Sequence, residues 1–430
     1  MDRNTVRRAA RSAVLAALAT GSGCRDDAGV AGARVRDSAG ISIVEIEGPG
    51  DATPVWSVSE PASIDLGGGG GHPAYDFDAV TTVLRLTDGR LVVANGSSNE
   101  IRIFDAQGAH LKTVGRTGGG PGEFQSLMGL WNGPGDSLLA ADIVARRVSV
   151  YDPQGVFVRG FGLGGEAGVT IPTDGVVKLV IPQGWLADGS IIGMAQGFRI
   201  NDPRQGLYRD SLSIVRYASD GPARDTVGKF PGIEMEQTPL QIRGQTLSTP
   251  DAVPLGKSTA FAIRGDRVYI AKNDAWEIEL RGPRGALIRL IRREVPAAPI
   301  TDQDQERHRQ ERVEQMEGLP QFKGIPEPIK EQMRARVRDA RYPPTFPFIA
   351  NLLVDDSGHL WVQEVEKPGE ERTRFVILDS TGVVAAVAVM PARFRPTAIG
   401  ADAIAGIWRD DDDVEHVRVY RLQRVGGPAS

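Results

Sequence analysis

Residues 91–124 read LVVANGSSNEIRIFDAQGAHLKTVGRTGGGPGEF, and residues 138–162 read LLAADIVARRVSVYDPQGVFVRGFG. The two passages share one grammar. Each opens with an apolar strand ending in a polar residue (Asn95, Asp142) and passes through a polar turn. An alternating strand then closes on aromatic-Asp (Phe104-Asp105, Tyr151-Asp152), and a turn ending in Gly108 or Gly155 leads to a further strand. Asp105 and Asp152 stand about 47 residues apart, the length of one four-stranded propeller blade. Residues 91–155 therefore supply a ruler for the whole chain.

The ruler finds further units on both sides of an irregular middle. One runs over residues 78–124, a second over 125–172, and a third over 173–232 with turns at Ala187-Asp188-Gly189 and Ser219-Asp220-Gly221. Residues 196–211 lengthen the middle hairpin of the third unit, and residues 233–258, with Pro239, Pro250 and Pro254, read as an irregular excursion. A fourth unit occupies 261–295, with Tyr269 and Trp276 expected on its strands, a fifth begins at Phe346, and a sixth covers 394–425 with three strands. The missing fourth strand is expected from residues 55–66, ahead of the first full repeat, because such closure removes the open edges of the ring. Six units of about 45 residues need about 270; loops and helices account for the remaining length of residues 55–425.

Between units four and five the apolar period changes. Thr301 is a good N-cap, followed by Asp302 and Asp304 in the first turn. Val313 and Met316 form one sparse apolar face, and Ile329, Met333 and Val337 form a stripe on a second helix. Residues 301–341 are thus expected to be a helical insertion laid across the propeller rim. The fold class is all-β, a six-bladed β-propeller with an N-terminal strand closing the last blade and a short helical insertion.

Residues 115–124 (GRTGGGPGEF), with LLAAD and RVSVYD after them, resemble NHL-type propellers, which commonly close a blade with G-x-x-G-x-G-P-G-x-F. Glycines permit the tight crossing from one blade to the next, and Phe124 can plug the space between blades. The resemblance implies a scaffold that hosts binding platforms, lyases and hydrolases alike, so it speaks for fold and not for activity.

Composition narrows the partners. With 50 Lys and Arg against 55 Asp and Glu, the net charge is -5, and no global field gathers phosphate backbone or an anionic membrane face. Nucleic acid is not an expected partner. Glycine fills 52 of 430 positions, about 12%, against roughly 7% in average proteins, and it recurs at turns.

The single cysteine, Cys24, excludes an internal disulfide and a thiolate zinc cluster. Before it lie Arg3, Arg7, Arg8 and Arg11, a short apolar run from Ala13, and Gly21-Ser22-Gly23. Basic region, short apolar region and small residues make residues 1–24 an export signal. It resembles a bacterial lipoprotein signal, which implies acylation of Cys24; Ala17-Leu18-Ala19 offers ordinary cleavage instead, and both routes stay open. Residues 25–54 are expected to be a flexible tether with one short strand at 41–46, and 426–430 a tail. The protein is expected in the periplasm or on the membrane of a bacterial cell envelope, touching the membrane only through that anchor, and as a monomer.

Chemistry is thinly marked. The five histidines show no metal-binding spacing, and no G-x-S-x-G or phosphate-cradling G-K-[ST] motif is present. One position in the repeat stands out: the residue ending the second strand is Asn95, Asp142, Gln196, Asn273, Glu364 and Asp410 across the blades. All bear polar oxygens. Asn95, Asp142, Asn273 and Glu364 are therefore the candidates for a ring of ligands near the channel mouth, although such residues also cap strand ends. Two functions follow. The first is a cofactor-free binding protein that uses a propeller face and the inserted segments to hold a protein or other ligand; the second is a metal-assisted lyase or hydrolase acting at the central channel with a divalent cation.

Overall fold

The computed structural model describes residues 32–424 except 51, 69–70, 164–175, 200, 243–244, 319–321 and 323. The export signal, Cys24 and the tail at 426–430 lie outside the described residues. Six sheets are arranged as six blades. Blade one is β5 (Val80–Arg85), β6 (Leu91–Asn95), β7 (Glu100–Phe104) and β8 (His110–Val114). Blade two is β9 (Leu127–Asn132), β10 (Leu138–Asp142), β11 (Arg147–Tyr151) and β12 (Phe157–Gly162). Blade three is β13 (Val176–Trp185), β14 (Ile191–Arg199), β15 (Tyr208–Tyr217), β16 (Ala223–Ile242) and β17 (Gln245–Ala252).

Blade four is β18 (Ala260–Arg264), β19 (Arg267–Ala271), β20 (Glu277–Arg281) and β21 (Leu287–Arg293); blade five is β22 (Ile349–Val354), β23 (Leu360–Glu364), β24 (Arg374–Leu378) and β25 (Val384–Val389). Blade six has β26 (Phe394–Ile399), β27 (Ala403–Arg409) and β28 (Glu415–Gln423). Its outer strand comes from the other end of the chain, where β3 (Ser57–Val58) and β4 (Ile64–Gly67) pair antiparallel with β28. The ring closes as the repeat count requires.

Six apolar clusters hold the ring, one between each pair of neighbouring blades. Alternation along each strand sends every second side chain to one of these seams. Phe124 is fully buried between Leu84, Ile101 and Tyr151, in the seam of blades one and two. The doubled Asp and Gly of the ruler have separate tasks. Asp152 Oδ1 accepts the backbone N–H of Gln154 and Val156, as Asp105 does at Gln107 and Ala109. Gly155 takes φ +70, and a Cβ there would stand 2.6 Å from Ile103 Cδ1 of blade one. Gly108, Gly221, Gly285 and Gly382 meet the preceding blade at the same turn, so the repeat marks both a turn and a blade contact.

Three expectations are corrected. Residues 33–46, assigned to the tether, form a hairpin of β1 (Ala33–Ser38) and β2 (Ile41–Ile46), and β2 pairs parallel with β21. Val44 and Ile46 then join Ile291 in the seam of blades four and five. Secondly, the excursion at 233–258 is largely β-structure, because β16 runs on to Ile242 and β17 returns. Its prolines suggested a loop, but Pro239 and Pro250 sit in a two-stranded ribbon whose outer sides need no donor. Thirdly, Trp276 is buried in the turn before β20 and is not on a strand.

The helical insertion is present as α1 (Asp302–Gly318) and α2 (Glu327–Arg338). Thr301 caps α1: its hydroxyl accepts the Asp304 N–H, and Asp304 accepts the Thr301 N–H. Neither helix buries a residue, and Ile329 of the expected stripe is 49% exposed. Polar contacts hold the helices instead. No helix among the described residues is long and apolar enough to cross a membrane.

Candidate functional site

A propeller has two faces, and the strand order fixes what each carries. First strands start, second strands end, and blade-to-blade crossings run on one face, here the entry face. The short turns joining strands one to two and three to four lie on the opposite, turn face. All three departures from the repeat fall on the entry face: the strand two-to-three loop of blade three, the β16–β17 ribbon between blades three and four, and the helices between blades four and five.

These departures are tied to one another. Asn201 of the loop exchanges two 2.7 Å hydrogen bonds with Ser248 of the ribbon, and Gln237 donates to Tyr208 Oη at 2.6 Å. The ribbon in turn meets α2, where Arg336 lies 3.7 Å from Asp251 and Arg341 lies 3.6 Å from Glu236. Arg307 of α1 reaches the Pro368 carbonyl of blade five. A groove of about 640 Å³ opens between ribbon and helices, lined by Glu236, Asp251, His308, Arg312, Arg336 and Tyr342.

Within the groove wall His308 Nδ1 is 3.0 Å from Tyr342 Oη, and Arg309 stacks over the Tyr342 ring. Burial, with the charges of Arg312 and Arg309, holds the His308 pKa below its ordinary value. Burial likewise raises that of Tyr342. Arg336 and Arg341 already have acidic partners, whereas Arg312 has no ion pair among the described residues. The groove thus holds one arginine, Arg312, whose side-chain partner among the described residues is the neutral Gln315.

The second concavity is axial, about 1090 Å³, walled by the inner strands of all six blades. Thr82, Met128, Trp185, Phe261, Leu353 and Arg395 each contribute from one blade. Its mouth is on the turn face, where the turn residues Thr87, Asp136 and Asp356 line it. There Arg264 pairs with Asp356 at 2.9 Å, and Arg85 with Asp402 at 3.1 Å.

The four residues expected to ring the channel are placed elsewhere. None lines the axial cavity; each ends or follows a second strand on the entry face, and backbone or arginine claims its polar atoms. Asn95 Oδ1 accepts Asp78 N–H at 2.9 Å. Asp142 accepts the N–H groups of Gln125, Ser126 and Ala145. Asn273 accepts from Phe348 and Ile349 and donates to the Ser258 and Ile349 carbonyls. Glu364 faces Arg374 and Arg293. Three of the four thus pin the chain where it enters a blade, which the strand-end capping alternative describes.

Of the remaining two positions, Asp410 accepts from Asp412 and Val414 in its own turn. Gln196 is 3% exposed with both amide atoms unpartnered. Among the described residues no three His, Cys, Asp or Glu side chains are grouped to hold a metal ion. Nor do the glycines at 118–120 cradle an anion, since Glu123 occupies the Gly120 N–H at 2.7 Å. Arg395, Trp185 and Phe261, which sequence reading passed over, are the side chains that give the axial cavity its character. Their signal was position on the first strand of a blade.

Comparison with known proteins supports the architecture. Residues 78–160 match the family DUF5128, described as a 6-bladed β-propeller, without the narrower NHL type. No curated protein matches the chain. Among solved structures, a Bacteroides fragilis NCTC 9343 protein described as exported is similar at 11% identity over 89% of this chain and 99% of its own, TM-score 0.46. The Staphylococcus aureus virginiamycin B lyase is similar at 11% identity over 84% and 99%, TM-score 0.37. A calcium-binding regucalcin of Agrobacterium tumefaciens is similar at 12% over 86% and 97%, TM-score 0.38. The chain is a six-bladed β-propeller with an N-terminal strand closing its last blade.

Proposed function

We propose that this protein is an exported binding protein of the bacterial cell envelope, monomeric and without a resident cofactor, which holds a protein partner on its entry face. The observation that carries the reading is the ridge formed by loop, ribbon and helices, three separate departures from the repeat that bond to each other and enclose one groove. The ring's packing does not call for them: α1 and α2 contribute no residue to the blade seams, and the insertion's one buried side chain among the described residues, Phe322, lies under Lys330 and Arg334 of α2. Ordering such exposed polar structure costs conformational entropy that contacts with a partner offset. Arg312, bonded only to the neutral Gln315 among the described residues, suits an acidic residue on the partner, since arginine is a favoured anchor at interfaces.

Location rests on the export signal at residues 1–24, with Cys24 as the acylation site if the lipoprotein route is used. The feet of the insertion provide a clean test. Pro299 bridges Thr345, and Ile300 N–H reaches the Pro344 carbonyl at 3.1 Å, so a two-glycine linker from Pro299 to Thr345 can replace the helices. Envelope-extract crosslinking with wild type should recover a partner through residues of α1, α2 or the ribbon. The excised variant should lose it, and an unchanged crosslink map would refute the proposal.

A further inference from the structure

The axial cavity opens on the face opposite that ridge, runs back to the entry-face ends of the first strands, and has a chemistry of its own. At its mouth Arg264 pairs with Asp356 and Arg85 with Asp402, while the Asp136 carboxylate is held by the Thr87 N–H and Asn132 without an ion pair among the described residues. The wall runs from Leu84, Trp185 and Ile263 near the mouth past Phe261, with hydroxyls and amides between, to Arg395 at the far end. Among the described residues Arg395 has no ion pair, and its one side-chain hydrogen bond is a long one, 3.4 Å from Nη2 to the Val80 carbonyl. Glu415, the acid that influences it, is already committed: Oε2 accepts Val80 N–H at 2.6 Å and Oε1 accepts Arg409 at 2.7 Å. Enclosure in the ring pushes the Arg395 pKa down, only partly offset by Glu415, yet the side chain is exposed to the channel. An enclosed guanidinium with unused donors seeks a planar oxyanion, which it binds by paired charge-assisted hydrogen bonds.

Trp185 gives this wall the face of an indole ring, its Nε1–H itself lying buried. A volume of about 1090 Å³ is at the upper end for small-ligand pockets. The geometry points to a binding site for an amphipathic oxyanion: the anionic head on Arg395, and an apolar body along Leu84, Trp185 and Phe261. Carboxylate and phosphate heads share this chemistry, and the probes below separate them.

Octanoate and octyl phosphate serve as probes, with octanol as body without charge and inorganic phosphate as head without body, followed by calorimetry and the fluorescence of Trp131 and Trp185. Octanoate, octyl phosphate or both should bind saturably at one site, with octanol at least about tenfold weaker for want of the charge-assisted contact and inorganic phosphate at least about tenfold weaker for want of the apolar body. Arg395→Gln should weaken the charged probes at least about tenfold and leave octanol unchanged, and Arg395→Lys should restore part of the affinity. Met128→Trp, which narrows the cavity without touching Arg395, should exclude all bodied probes and covers the case in which Arg395→Gln does not fold. No binding of either charged probe to wild type, equal binding by Arg395→Gln, or equally tight inorganic phosphate would each overturn the assignment.

Discussion

The two faces of this propeller are built under different rules. On the turn face every connection is short, and an Asp or a positive-φ Gly sets its path. Here too the described chain is locked near its ends: Asp355, fully buried, accepts Trp361 Nε1–H at 3.0 Å and forms an ion pair with Arg424 at 2.9 Å, while Arg424 stacks over Trp56. A residue near each end of the described chain therefore meets in one knot at blade five. On the entry face the same blades tolerate a 20-residue strand that runs past its sheet and a pair of helices that add no residue to the blade seams. The difference teaches where constraint lies: the turn face specifies the ring, and the entry face is free to vary once its strand-end staples are set.

The largest expected effect is at the knot. Burial alone would raise the Asp355 carboxyl, but hydrogen bonds from His359 and Trp361 and the charge of Arg424 outweigh it and hold its pKa below the usual 3.8. Arg424→Ala strands that carboxylate, which should cost about 3–5 kcal/mol at neutral pH in a denaturant titration. Because the native pKa is lowered, this stability is complete above the unfolded value and drains as pH falls through the native one. The gap between wild type and variant should therefore shrink below about pH 4; a gap that stays constant on acidification would detach the knot from Asp355.

Next comes a staple. Asn273→Ala removes four hydrogen bonds and leaves buried backbone groups of Ile349 unmatched, at a cost of about 1–3 kcal/mol per stranded group. The midpoint of wild type and variant should respond equally little to added Ca²⁺. A calcium-dependent midpoint that disappears in the variant would restore Asn273 as a ligand.

The smallest effect separates two glycines with the same backbone strain. Gly189 (φ +77) has open space where a Cβ would go, whereas Gly155 (φ +70) has Ile103. Gly189→Ala should cost about 1–2 kcal/mol for left-handed backbone alone. Gly155→Ala should cost about 1–3 kcal/mol more, because the methyl overpacks a blade seam. Equal losses would mean that the repeat glycines serve the turn and not the ring.

Much of this fold was legible because its signals are local. Asp105 and Asp152 bond within their own turns, so their spacing carries through the sequence intact, and the orphan strand at 55–66 followed from counting. What escaped was non-local. The hairpin at 33–46 is a strand pair only because β21 offers an edge about 250 residues away, and Pro239 and Pro250 look like loop breakers until the ribbon is seen to be two strands wide. The candidate site split along the same line. Asn95, Asp142 and Asn273 were identified correctly as a repeated polar position, yet position in a strand does not tell which end of the channel it faces. Arg395 belongs to no motif, and its isolation appears only when the partners of Glu415 are known.

The central claim is that the ring folds without the entry-face helices and that the helices serve a partner. Excision of residues 300–344 with a two-glycine bridge tests it most directly, through the denaturation midpoint together with the crosslink map in envelope extract. The account predicts a midpoint close to that of wild type and loss of the crosslinked partner. A collapsed midpoint would make the helices part of the fold, and a retained partner would place the binding surface elsewhere.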